Sequence, residues 1–227
     1  SFLKAIEINP NLPNIYSTIT RFLRDSDPSQ LNKSQLKYTL KLLLEKTNVP
    51  HKELFRAFNY LYKKEITSNK KKIDIEYFIN DKLIINALKK IIFMDPEWEK
   101  VLTKQRMNIC QRISIKKEKF NESQLQFIIA IAEQCFLNEY IYSLKVEEKV
   151  YIDNIINSCI KSELNEINIA IISCYFPLYK LLDKIPKLQS FNSSKQNIQE
   201  LIKLQISEPL EEIKLFRDIK QLGSIND

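Results

Sequence analysis

A single glycine, Gly223, serves a chain of 227 residues, and it lies almost at the C-terminus. Glycine reaches left-handed backbone angles without steric cost, and tight hairpin turns and phosphate-cradling loops depend on it. With none ahead of position 223, hairpins and glycine-rich nucleotide loops are both disfavoured, and the chain is expected to be all-α. The 44% hydrophobic content and dispersed charge mark a globular chain, not a disordered one. Its length suits one large domain or two small ones. No apolar run reaches the roughly 18 residues of a membrane span, and the N-terminus lacks a basic stretch followed by an apolar one. The chain therefore reads as soluble and cytoplasmic, with no membrane partner.

The chemistry available is narrow. There is no G-x-G or G-K-[ST] string for a dinucleotide or phosphate. The only histidine, His51, follows Pro50 in a first helical turn, so a two-histidine metal site is impossible and a surface position is expected. Cys110, Cys135, Cys159 and Cys174 form no C-x-x-C pair and sit among apolar helical neighbours, which reads as four buried free thiols. Glu147-Glu148 and Glu211-Glu212 lie in first helical turns, where the positive end of the dipole accounts for them. The net charge of +7 raises the question of nucleic acid, but only six of the 35 basic residues are arginines. Lysine neutralises phosphate without the bidentate fork that reads guanine. The clusters Lys63-Lys64, Lys70-Lys71-Lys72, Lys89-Lys90 and Lys116-Lys117 are interrupted by acids and apolar residues, so a solvated surface is expected.

Along the chain, Phe2, Ala5 and Pro10 have the spacing of the second helix of a tetratricopeptide repeat and its terminating proline, with no complete repeat after them. Helices follow at about 33–47 and 51–65, striped by Leu36, Leu40, Leu43 and Leu44 and by Leu54, Phe55, Phe58, Leu61 and Tyr62. Residues 1–66 are thus expected to be a repeat end with a capping hairpin, and 73–227 a second, irregular helical domain beyond the basic loop Thr67 to Lys72. In it, Ile75 to Met94 is helical with a break at Asn80-Asp81, and Asp95-Pro96-Glu97 starts a helix to Ser114. Asn121 or Ser123 opens the next, Lys145 to Ser162 and Ile167 to Pro177 follow, and two helices, Ser194 to Ile206 and Pro209 to Ile219, end the chain.

One run stands out. Phe127, Ile128, Ile131, Ala132 and Cys135 make the apolar stripe of a helix, and its extension lands on Asn138, Glu139 and Tyr142. A carboxylate and an amide there must find partners, emerge into solvent, or cost about 1–3 kcal/mol each. Gln134 and Asn138, four apart, share a face. The expectation is a hydrogen-bonded network of Gln134, Asn138 and Glu139, with Tyr140 and Tyr142 packed nearby.

Four strings then carry a resemblance: Asp95-Pro96-Glu97-Trp98-Glu99 with Leu102-Thr103 and Arg106; Gln134 to Tyr142; Cys174-Tyr175-Phe176-Pro177-Leu178-Tyr179; and Gln205 to Glu212. With the repeat end at Phe2 to Pro10, they resemble, in order, the region between the repeats and the catalytic domain of bacterial TPR-containing, S-adenosylmethionine-dependent methyltransferases. The string Q-C-F-x-N-E-Y is the most specific of them. The resemblance implies a non-catalytic, solenoid-like scaffold that caps the repeats, orients a downstream methyltransferase and helps present a protein substrate. No catalytic, cofactor or metal residue carries over; S-adenosylmethionine would belong to the downstream domain. Two other readings remain open: a free-standing protein- or nucleic-acid-binding helical domain, and a helical lid lending Glu139 to the methyltransferase site.

Overall fold

A computed structural model describes residue 9 and residues 14–68, 73–162 and 164–223. Among these every regular element is helical. None of the described helices is long and apolar enough to cross a membrane. The expected repeat end at Phe2 to Pro10, Asn9 apart, and most of the basic loop lie outside the described residues. The chain forms two compact units, up to Gln105 and from Arg106 onward. The division falls within the helix Pro96–Ser114.

In the first unit, α1 (Ile15–Asp25), α2 (Lys33–Leu44), α3 (Phe55–Ser68), α4 (Ile75–Ile79) and α5 (Lys82–Lys90) precede α6 (Pro96–Ser114), which continues past the division. The expected break at Asn80-Asp81 is present, and Asp81 caps α5 by accepting the Leu83 N–H at 3.0 Å. The same carboxylate accepts from Lys37 Nζ at 2.7 Å and the Tyr62 hydroxyl at 2.9 Å. Burial raises the Asp81 carboxyl pKa, but these donors outweigh it and hold it below the ordinary value. The core is aromatic: Phe93 packs at 5.0 Å on Phe58 and 4.9 Å on Trp98. Trp98 is fully buried and satisfies its indole N–H on Asn59 Oδ1 at 3.0 Å. His51 is half-buried, against expectation. A 3-10 turn from His51 to Leu54 leads into α3 and brings its Nε2 to 3.2 Å from the Leu43 carbonyl, and burial lowers its pKa.

In the second unit, α7 (Glu122–Leu137) is the centre. It starts at Asn121 with a capping box, in which Gln124 N–H donates to Asn121 Oδ1 at 2.9 Å and Asn121 N–H to Gln124 Oε1 at 3.0 Å. Every residue from Phe127 to Cys135 is buried, so α7 is enclosed on all sides and is not a one-faced amphipathic helix. Around it stand α8 (Val146–Lys161), α9 (Glu166–Ile172) and α10 (Gln196–Ile202). The two expected terminal helices are in fact continuous. A π turn, Lys203–Ser207, joins α10 to α11 (Glu208–Gly223), with Glu208 N–H bonded to the Lys203 carbonyl. Pro209 supplies no N–H and its ring would clash with the carbonyl of Gln205 in a regular α-turn; the wider π turn accommodates both.

All four cysteines are free and buried. Burial pushes the Cys110 thiol up to about 12 and Cys135 up to about 11. An aromatic disulfide reagent at neutral pH should leave all four unlabelled over minutes in the native protein and label them on unfolding. Rapid native labelling would contradict the packing around α7.

Candidate functional site

The end of α7 is where the polar run meets the fold. Tyr140 N–H donates to the Cys135 carbonyl at 2.8 Å and Glu139 N–H to the Phe136 carbonyl at 3.1 Å. These are the two reverse bonds of a Schellman motif, whose turning residue is normally glycine. Here that residue is Glu139, at φ 57°, and Tyr140 follows at φ 61°. Two consecutive non-glycine residues in the left-handed region store strain, of about 1–2 kcal/mol each. Asn138 Oδ1 accepts the Tyr140 N–H at 3.1 Å and so braces the turn. Its buried Nδ2 has no hydrogen-bond partner among the described residues.

Gln134, Asn138 and Tyr142 are buried, but Glu139 is exposed, and its contribution is the backbone turn. Tyr140 carries the run's contacts to distant elements. Its hydroxyl lies 3.2 Å from the Ser173 carbonyl and 3.2 Å from Gln205 Oε1, and burial raises its pKa. Gln205, fully buried in the π turn, donates from Nε2 to the carbonyls of Ala132 at 3.4 Å and Ser173 at 3.3 Å. Its Oε1 also accepts the Leu178 N–H at 3.4 Å. One amide thus ties the middle of α7, the end of α9 and the turn after Pro177.

A second buried node uses Arg106 and Glu148, whose side chains are 3% and 1% exposed. Arg106 Nε donates to Glu148 Oε1 at 2.9 Å and Nη2 to the Ser143 carbonyl at 2.7 Å. The guanidinium lies 4.5 Å over the Tyr175 ring, whose hydroxyl donates to the same Glu148 oxygen at 2.6 Å. Glu148 Oε2 accepts the Lys145 N–H at 3.3 Å, closing the start of α8. Burial pulls the Arg106 pKa down, but the bond to Glu148 outweighs it and keeps the guanidinium charged.

Glu148 was legible in the sequence only as dipole compensation. The missed signal is its phase: Glu148, Ile152, Ile155 and Cys159 share the buried stripe of α8, while Glu147 is exposed. An acid in phase with a core stripe implies a buried base. Tyr175, Arg106 and Gln205 stood in the quoted strings without a role; the structure brings them to these two nodes.

The arrangement is sealed. Arg106, Glu148 and Gln205 bond to other side chains and to backbone groups within the fold, which suits the positioning of helices. Among the described residues no group of three His, Cys, Asp or Glu side chains is arranged to hold a metal ion. The exposed left-handed Glu139 gives a local test. Glu139→Gly should raise stability by about 1 kcal/mol, since glycine occupies that angle without a Cβ clash. Urea unfolding measures it, and a loss of stability would contradict the turn.

No family model, curated protein or solved structure matches this chain.

Proposed function

We propose that this chain is a non-catalytic helical scaffold that closes the end of a tetratricopeptide-repeat array in a solenoid-like arrangement and orients a downstream S-adenosylmethionine-dependent methyltransferase domain. The observation that carries the reading is the convergence of the four strings that resemble the linking region of those enzymes. Arg106 and Tyr175 meet at Glu148, and Tyr140 meets Gln205 and the carbonyl of Ser173. Residues far apart in sequence are held by one another's polar groups, as an orienting element requires. The downstream domain would hold the cofactor, and its protein substrate would be presented by the assembly. Reading the open frame on both sides of the chain tests this. Repeats upstream and a glycine-rich methyltransferase domain downstream are expected; a frame with neither overturns it.

A second reading has its own observation. Glu139 is an exposed carboxylate held at φ 57°, where glycine would be cheaper, and such strain concentrates at functional sites. In the lid reading it completes the methyltransferase site. Glu139→Gln in the whole enzyme should then lower turnover without lowering stability; unchanged turnover sinks the lid.

A further inference from the structure

We infer that the second unit carries a binding site for a small organic carboxylate with an apolar body. The site is a cavity of about 720 Å³ between the end of α6, the loop after it, α8 and the start of α9. That volume lies in the range of small-molecule pockets, which are mainly apolar with a few placed polar groups. Its floor is Ile113 and Ile155, both buried, and half-buried Phe120 and Phe191 add aromatic walls.

The charge at the mouth decides the ligand. Four charged groups matter among those lining the cavity: Lys117, Lys119, Glu118 and Glu166. Both acids are already paired, with Lys195 shared between Glu166 and Glu122. Glu118 receives Arg112 Nε at 2.7 Å, and Glu166 receives Lys195 Nζ at 2.6 Å and the Ser193 hydroxyl. Lys117 and Lys119 make no hydrogen bond or ion pair to the described residues and point to an anion. The lip is also pre-formed. Arg112 holds Glu118 while stacking 4.8 Å over Phe120, and the backbone turns back through Lys117 at φ 51°, an angle lysine adopts only under constraint. Two lysines supply point charges for a small anion, and the buried isoleucines and aromatic walls suit one that carries an apolar body, as an organic carboxylate does. The Ser158 hydroxyl and the Asn165 amide add polar groups to the lining, while the Asn168 amide is engaged with Cys159.

The probe is 4-phenylbutanoate, with 4-phenylbutan-1-ol as its uncharged counterpart, titrated into the protein by calorimetry at low salt. The acid should bind saturably and about tenfold more tightly than the alcohol, the worth of two exposed ion pairs. The difference should shrink as salt rises. The double variant Lys117→Gln, Lys119→Gln, both on the surface, should bring acid and alcohol to equal affinity. Lys117→Gly separates charge from strain: it should weaken the acid severalfold while raising the urea midpoint. Equal binding of acid and alcohol by the native protein, no saturation, or an unchanged preference in the double variant would overturn the assignment.

Discussion

Replacing Arg106 by methionine is expected to remove about 3–5 kcal/mol of stability, because it breaks a buried ion pair from one side only. The carboxylate of Glu148 would remain 1% exposed, holding the Tyr175 hydroxyl and the Lys145 N–H but facing no cation. The Ser143 carbonyl would lose its donor as well. The loss measures an orphaned charge and not the net worth of the pair, since two charges taken from water recover little more than their desolvation. That distinction can be tested directly. Arg106→Met combined with Glu148→Leu and Tyr175→Phe leaves no charge or phenol at this node, and should recover most of the loss. Urea unfolding followed by helical circular dichroism gives both numbers. A single-variant loss below about 1 kcal/mol would place the pair in the range of exposed salt bridges and contradict its burial.

Gln205→Leu should cost about 2–3 kcal/mol, the upper part of the range for leaving buried polar groups unmatched. The leucine fills a similar volume, so the loss comes from partners. The Leu178 N–H and the Ala132 carbonyl lose the bond to Gln205, while Tyr140 can still donate to the Ser173 carbonyl. Tyr140→Phe alone should cost about 1 kcal/mol. The double variant should cost less than the sum, because both remove the same interaction. Strict additivity would mean that Tyr140 and Gln205 do not act together.

The sequence reading was strongest where one local rule governs. Asp81 before α5, Asp95-Pro96 at α6 and Asn121 before α7 are capping chemistry, satisfied within a turn, and their helices start where those residues place them. The free buried cysteines followed from the lack of a C-x-x-C pair and from their apolar helical neighbours. What escaped was set by the tertiary environment. Nothing near Glu148 announces that Arg106, on another helix, will neutralise it. The lack of glycine favours helices but does not forbid left-handed turns: Asn14, Lys117, Glu139 and Tyr140 take positive φ and carry its cost. The polar run gave no hint that Tyr140 would reach Gln205, 65 residues on, because that contact depends on how distant helices pack. Proline at 209 looked like a boundary, and a π turn carries the helix through it.

That π turn also sets a phase. A turn wound by one residue more than its neighbours rotates everything beyond it by about 100° around the helix axis. Leu215 and Ile219 on α11, four apart and so on one face, are exposed, and this rotation sets where that face points. Deleting one residue between Lys203 and Ser207 would let the helix run in a single register and turn that apolar stripe by more than a quarter of a revolution, with hardly a change in composition or length. Insertions and deletions of one residue at this point are therefore a coarse rotary adjustment of the last helix, available to evolution in a single step and to a protein engineer as a dial.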